Sequence, residues 1–292
     1  MAEKSLIDLI KDLRERTGAG LMDCKAALLA SGNDIEKASD FLREKGLVKM
    51  AKKASRIAAE GLTVFKSCAH CRTTVIVEVN CETDFVAKGD AFHDLVNTVA
   101  DLLLDKKPAT IEEARELTAS LFTDATVKLG EKLDLRRFEL VTENGDEFAA
   151  PYTHMGGKIS VVVLLDKNDA EFGKQLAMHI AANNPSYLAV DEIPEEVIKH
   201  ETEVETAASK NDEKLANKPA PVLEKIIANK VNKRFAEVTL LAQAFLIDDS
   251  KTVEQVLKEK NTKVLKFVRY QVGEGIEKRQ DDFASEVMSQ VN

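Results

Sequence analysis

Tryptophan is absent from the 292 residues and tyrosine occurs only 3 times, so 12 phenylalanines dominate the aromatic inventory and are the natural candidates for aromatic contact anchors. No apolar run is long enough to cross a bilayer. The opening Met1-Ala2-Glu3-Lys4 leads directly into amphipathic helix rather than the apolar core of a signal peptide, so the expected location is the cytoplasm, with no membrane partner. Only 4 cysteines occur, Cys24, Cys68, Cys71 and Cys81, which fits a reducing compartment where thiols mostly serve as small apolar side chains. A basic surplus is also missing. Lys and Arg number 41 against 50 Asp and Glu, for a formal charge of -9, which disfavours general phosphate-backbone attraction and points to partners other than nucleic acid. The glycine loop Thr17-Gly18-Ala19-Gly20 is too short for a phosphate loop and lacks its Lys-Ser/Thr, which excludes a nucleotide site of that kind. No serine or cysteine nucleophile comes with a recognisable base and third partner. The chain is therefore expected not to be an enzyme and to need no cofactor.

What is present describes an ordinary globular protein: 44% hydrophobic and 31% charged residues in a length that suits two to three compact units. Leu6, Leu9, Ile10 and Leu13 form a helical stripe that ends at Gly18 and Gly20. Leu21 to Leu29 supplies a second helix, and a third carries Ile35, Ala38, Phe41 and Leu42, stopped by Gly46. Leu21 and Met22 cannot both face such a bundle, so one is expected at the surface. Lys49 to Arg56 reads as a basic, solvated helix tail. Leu62 to Ser67 and Thr73 to Asn80 pair as a hairpin around Cys68-Ala69-His70-Cys71. That turn has a metal-like spacing, but structural zinc needs four ligands and no second knuckle is present, so no metal is expected.

Further on, Asp90 to Lys106 and Thr110 to Gly130 read as helices, and Leu133 to Val141 as a strand. Asn144-Gly145 signals a hairpin to an antiparallel Phe148 to Tyr152, and Ile159 to Leu165 is an apolar strand. A helix from Ala170 to Ala182 places His179 beside an apolar stripe, the usual position of a hydrogen-bonded core histidine. Helices from Pro194 to Lys210 and along Leu223, Ile226, Ile227 and Val231 form an inserted hairpin. Strands at Val238 to Leu241, Phe245 to Ile247 and Val264 to Val272 follow, and a last helix spans Asp281 to Ser289. The fold class is α+β: a three-helix bundle over 1–52, a first core subdomain over 56–147, a second over 148–185 and 238–272, the helical hairpin over 186–237, and a C-terminal module over 273–292.

The stretch Asn80-Cys81-Glu82-Thr83-Asp84-Phe85-Val86-Ala87-Lys88 joins a strand to a helix. Before it, Val75, Val77 and Val79 alternate with Thr74, Ile76 and Glu78, the pattern of a half-buried strand; after it, Asp90 is placed to cap a helix. A phenylalanine between a carboxylate and a lysine has two readings. Composition favours an inward staple under the helix start; the other reading is an exposed knob for a partner's groove.

Two blocks, Leu13-Arg14-Glu15-Arg16-Thr17-Gly18-Ala19-Gly20-Leu21-Met22-Asp23-Cys24-Lys25 and Val79-Asn80-Cys81-Glu82-Thr83-Asp84-Phe85-Val86-Ala87-Lys88, resemble signatures of the elongation factor Ts family. Gly273-Glu274-Gly275-Ile276-Glu277-Lys278 adds a third point of resemblance. The family consists of guanine-nucleotide exchange factors for elongation factor Tu. The resemblance implies that the bundle is ubiquitin-associated-like and that the helical hairpin is a projecting coiled coil. It also implies that Phe85 faces outward. By it, Arg14, Leu21 and Met22 touch the partner's nucleotide-binding domain, and Thr83, Asp84, Phe85 and Val86 form the active knob with His154 in support. Leu246 and Ile247 would meet a distal domain of the partner, and the hairpin is where a homodimer or 2:2 assembly would form. Two other readings remain: a thiol- or metal-binding protein using Cys68 and Cys71, and a ubiquitin-associated-type adaptor without exchange activity.

Overall fold

The computed structural model describes residues 5–212, 215 and 218–277. It is an α+β chain that divides into two compact units. One unit holds the chain up to Leu140, Met155–Ser160 and the chain from Tyr270 onward; the other holds Val141–His154 and Val161–Arg269.

The first unit begins with α1 (Leu6–Thr17), whose N-cap Ser5 accepts the Asp8 N–H, and which ends at Gly18 in the left-handed region. Its Ile10 and Leu13 close a small core with Cys24, Ala27 and Leu28 of α2 (Leu21–Ala30) and with Ala38 and Leu42 of α3 (Ile35–Lys53). Gly46 was expected to stop α3. Instead the helix runs through it, because a missing Cβ at this position lets another helix approach. A Cβ at Gly46 would lie 2.7 Å from Val127 and 3.0 Å from Thr123, both on α6 (Ile111–Leu129). The contact outweighs glycine's helix penalty of about 1 kcal/mol. Phe41, read as a core residue, is exposed, and the Lys49 to Arg56 tail is helical as far as Lys53.

β1 (Glu60–Cys68) and β2 (Thr73–Cys81) form an antiparallel hairpin in which Cys68 pairs with Thr73 and Glu60 with Cys81. β3 (Asp134–Thr142) completes a sheet of order β1-β2-β3, so β2 is central. Val75, Val77 and Val79 belong to one core with Phe92, Leu95, Val96, Val99 and Leu103 of α5 (Asp90–Lys106). Each of these large side chains contributes about 1.5–3 kcal/mol by burial, against tenths for intrinsic helix preference. The expectation of a half-buried β2 is corrected, since every residue of the strand is buried. The charge that marked the other face as solvated, Glu78, is fully buried between Arg136 and Arg137. Thr110 caps α6 by accepting the Glu113 N–H, while the Glu113 carboxylate returns to the Ala109 N–H, a variant of the capping box.

At the β1–β2 turn the Cys68 and Cys71 sulfurs are joined in a disulfide. The reading of thiols as mostly small apolar side chains therefore describes Cys24 and Cys81, which are free and buried, and not this pair.

In the second unit β4 (Phe148–His154) and β5 (Ile159–Leu165) share a sheet of order β4-β5-β8 with β8 (Val264–Gln271). The Asn144-Gly145 turn does not make the expected hairpin, because β3 and β4 lie in different sheets. Side chains replace ladder partners there: Glu143 accepts the Ala149 N–H and Glu147 accepts the Asn144 N–H, each at 2.8 Å. α7 (Ala170–Asn183) starts at Asp169 and ends at Asn184 in the left-handed region. α8 (Glu195–Lys210) and α9 (Ala220–Val238) form the inserted hairpin around Ile193, Ile227, Val231 and Phe235.

Strand character does not resume at Val238. That residue ends α9, Thr239 makes an isolated parallel bridge to Tyr187, a short 3-10 turn covers Leu240–Ala242, and Ala244–Phe245 (β6) pairs with Asp248–Thr252 (β7). A β-branched residue read locally favours strand, but Val231, Phe235 and Val238 continue the apolar face of α9 and hold it helical. Thr252 and Gln255 form a full capping box at the start of α10 (Val253–Glu259). The strands before and after the helical insertion do share a sheet, through β5 and β8. The expected helix from Asp281 to Ser289 lies outside the described residues.

Candidate functional site

The end of β2 is built to display one ring. Thr83 is extended and caps α4 (Asp84–Ala87), its hydroxyl accepting the Val86 N–H at 3.3 Å. Asn80 to Lys88 is therefore not a plain loop, because Phe85 sits on a helical turn. Neither does Asp90 cap the next helix: Gly89 is the N-cap and Asp90 the first residue of α5. Within α4 Ala87 is buried and Val86 is partly buried against the sheet core, which fixes the turn from beneath. Phe85 faces the other way and is 84% exposed. The inward-staple reading is thereby corrected. A ring left in water at this level costs hydrophobic free energy of roughly 1.5–3 kcal/mol that folding does not recover.

Electrostatics lock the turn from the flank. The Glu131 carboxylate accepts the N–H groups of Glu82 and Thr83, each at 3.0 Å, and the Thr83 hydroxyl at 2.6 Å. In exchange, Glu82 accepts the Lys132 N–H at 2.6 Å and pairs with Arg56 at 3.1 Å. Two adjacent segments, 82–83 and 131–132, thus satisfy each other's backbone with carboxylates. The Lys132 ammonium donates to the carbonyls of Ala54 and Arg56, tying the end of the basic tail to the same point. Lys88, one turn along, pairs with Asp84 at 2.6 Å and holds the Asp84 carboxyl below its ordinary range; Asp84 in turn raises the lysine. Beneath, burial pushes the Cys81 thiol up to about 12, so it is an inert packing group.

Glu131 was not foreseen from the sequence. It is 48 residues from Thr83, and its only local cue is a carboxylate directly after the glycine that ends α6. Glu131→Ala is expected to leave the Glu82 and Thr83 amides without their charged acceptor, at a cost of about 1–3 kcal/mol in stability. Urea unfolding of the variant checks this, and an unchanged midpoint would show that water replaces the carboxylate freely.

Elsewhere in the same unit, the turn between α1 and α2 presents a second patch. Arg14 is exposed in the last turn of α1, and Gly20 starts α2 without a side-chain cap. Leu21 is 53% and Met22 70% exposed, so both are left outward rather than one. The next residue, Asp23, anchors this turn to α3 through Lys45 at 2.8 Å and Lys49 at 3.1 Å, and those lysines lower its pKa.

The second unit carries the remaining predicted residues. His154 is exposed at the end of β4, with its Nδ1 3.0 Å from the Tyr152 hydroxyl. Leu246 and Ile247 do not lie on a strand but in the turn between β6 and β7, 47% and 54% exposed. This turn is held by His179. The Leu246 N–H donates to His179 Nδ1 at 3.1 Å, and His179 Nε2 lies 2.9 Å from Gln243 Oε1, which assigns the ring proton to Nε2. The Gln243 amide reaches the Glu237 carbonyl at 2.6 Å, so the buried chain ends on the last turn of α9. His179 is thus the hydrogen-bonded core histidine that its stripe suggested, and it also positions the Leu246 backbone.

Burial lowers the His179 pKa from the ordinary 6.5. Below 6.5 the unfolded chain takes up a proton that the folded site excludes, and a protonated Nδ1 cannot accept from Leu246. The stabilisation is therefore complete above 6.5 and is lost as pH falls from there through the lowered native value. Hydrogen exchange at the Leu246 amide, corrected for intrinsic rate, should lose protection over that interval. Constant protection would contradict the assignment.

Among the described residues no group of three or more His, Cys, Asp or Glu side chains is placed to hold a metal ion, and no helix is long and apolar enough to cross a membrane.

The described features thus comprise a rigidly based aromatic knob, a pair of outward apolar residues at a glycine turn, and a histidine-held apolar turn. A family model described as Elongation factor TS matches residues 82–274, which begins inside the knob segment and covers about two thirds of the sequence. The chain belongs to the elongation factor Ts family, a family of translation elongation factors.

Proposed function

We propose that this chain is the guanine-nucleotide exchange factor for elongation factor Tu, acting in the cytoplasm. The observation that carries the proposal is the outward Phe85 on a turn fixed by Thr83, Glu131 and the buried Ala87. Arg14, Leu21 and Met22 contact the partner's nucleotide-binding domain, and Thr83, Asp84, Phe85 and Val86 enter beside the bound magnesium and diphosphate. His154 supports that surface, while Leu246 and Ile247 meet a distal domain.

Bound GDP is held by many charge-assisted hydrogen bonds and by its cation, so unaided release is slow. An inserted ring, with the Asp84 carboxylate beside it, shifts those ligands by small distances and weakens all of them together. Rigidity matters here. A knob that folded only on binding would spend the interaction on ordering itself, whereas α4 is already ordered. Coupling is reciprocal: the factor weakens GDP binding by the same free energy by which GDP weakens the factor, and GTP entry then expels it. The chain makes and breaks no covalent bond in this cycle.

Release of fluorescent GDP from elongation factor Tu tests the proposal. Substoichiometric amounts of the chain should accelerate release in proportion to their concentration. A chain that binds without acceleration would be an adaptor of the ubiquitin-associated type instead.

A further inference from the structure

The tip of the β1–β2 hairpin carries chemistry that nucleotide exchange does not use. β1 ends at Cys68 and β2 opens at Thr73, its register partner, so the chain reverses over Ala69 to Arg72, with Arg72 in the left-handed region at φ 47°. This reversal sets the Cys68 and Cys71 Cα atoms 5.4 Å apart and joins their sulfurs. Both cysteines are partly exposed, while Ala69 and His70 between them are exposed. The Cys71 N–H points at Cys68 Sγ, 3.0 Å away. Lys66, His70 and Arg72 flank the pair along the chain, and the Lys107 ammonium reaches the Thr73 hydroxyl at 3.0 Å.

The other two thiols behave in the opposite way. Cys24 and Cys81 are fully buried, and burial raises both pKa values, that of Cys81 to about 12. The chain therefore contains one accessible pair and two inert thiols.

A bridge closed over so few residues removes little freedom from the unfolded chain, and the hairpin is already defined by continuous β1–β2 pairing. Stability alone gives weak reason for the bond. What the tip does supply is stabilisation of a leaving thiolate: a backbone N–H aimed at Cys68 Sγ favours the ionised form.

We propose that Cys68 and Cys71 form a redox-active couple that exchanges with low-molecular-weight thiols of the glutathione class. In the reductive direction an incoming thiolate attacks Cys71 Sγ. A new S–S bond forms to Cys71, the Cys68–Cys71 bond breaks, and Cys68 leaves as a thiolate facing the Cys71 N–H. A second small-molecule thiolate then attacks the small-molecule sulfur of the mixed disulfide. The free disulfide departs, and the Cys71 and Cys68 thiolates take up the two protons that the small thiols lost. The net change is one protein disulfide and two thiols to one protein dithiol and one small-molecule disulfide, a two-electron exchange. Sulfurs bonded to each other are not metal ligands, so the couple and a thiolate metal site are alternatives at this turn. The structure carries the first.

The full chain is equilibrated anaerobically in buffers running from reduced to oxidised glutathione, quenched in acid, and alkylated after denaturation, and its intact mass is measured. The mass should pass from four adducts to two within the glutathione series. The same reagent used on the native reduced protein should label Cys68 at least ~10-fold faster than Cys24 or Cys81. Two adducts persisting in reduced glutathione alone would mark a permanent staple and overturn the proposal. Four adducts in oxidised glutathione alone would overturn it from the other side, as would equal labelling of Cys24. None of these readouts depends on nucleotide release.

Discussion

Replacing Glu78 by alanine is expected to lower the unfolding free energy by about 3–5 kcal/mol, the cost of removing one member of a buried, hydrogen-bonded ion cluster. The carboxylate has no solvent exposure and satisfies groups from two other parts of the first unit, β3 and the turn at Gly273. Oε1 accepts from Arg136 at 2.9 Å and from the Gly273 N–H at 2.8 Å, and Oε2 accepts from Arg137 at 2.5 Å. Arg137 also stacks on the Tyr270 ring, 4.3 Å from its centroid, and pairs with Glu274. Removing the carboxylate would leave two partly buried guanidinium groups and a buried N–H to find other partners. Glu78→Gln keeps an acceptor for the Gly273 N–H while losing the charge, so its loss should be smaller. Urea unfolding of the three proteins orders them wild type, Gln, Ala; equal midpoints for wild type and Ala would mean that the arginines re-pair without cost.

Phe85→Ala carries the second large effect, this time on function. Hot-spot aromatics at interfaces account for about 2 kcal/mol or more each, which corresponds to roughly a 30-fold or greater fall in the acceleration of GDP release if the ring acts in the transition state for release. The fold should not change, because the ring is 84% exposed and the turn beneath it is held by Ala87, Thr83 and Glu131. Thermal unfolding should coincide with wild type, or shift slightly upward as an exposed apolar group is removed. A variant that is both inactive and strongly destabilised would assign the ring to the interior. Leu21→Ala and Met22→Ala differ in kind: their side chains lie on the glycine-turn patch, and their loss should weaken docking more than the release step.

The sequence showed the elements of the first unit more plainly than their partners. The stripe of Phe92, Leu95, Val96, Val99 and Leu103 announced α5 because its period is local, and the observed boundaries match. Glu78 misled for the converse reason. Alternation marks a charged residue as solvent-facing, whereas the arginines that bury it lie 58 and 59 residues away, and the Gly273 amide 195. Gly46 looked like a helix stop because its reason for being glycine is a second helix, not the backbone of its own. Asn144-Gly145 was a sound turn signal, but turn chemistry does not state which sheet the next strand joins.

At the candidate site, composition favoured turning Phe85 inward, and only the family resemblance of its neighbours turned it outward, as the 84% exposed ring is found. The machinery holding it was only half visible. Thr83 stands at a recognisable cap position, while Glu131 is reached only through the fold. The Leu246–Ile247 turn was read as strand because three apolar residues in a row look extended. Its conformation comes instead from a side chain on α7, His179, 67 residues earlier.

The dependence of the GDP-release rate on exchange-factor concentration, followed to saturation for wild type and Phe85→Ala, distinguishes a ring that opens the nucleotide site from one that only docks. The Phe85→Ala curve is expected to saturate at a far lower plateau, because the partner still docks but its magnesium and diphosphate are no longer displaced. A variant that reaches the wild-type plateau at higher concentration would show that the ring only helps the two proteins meet, and that something else opens the nucleotide site.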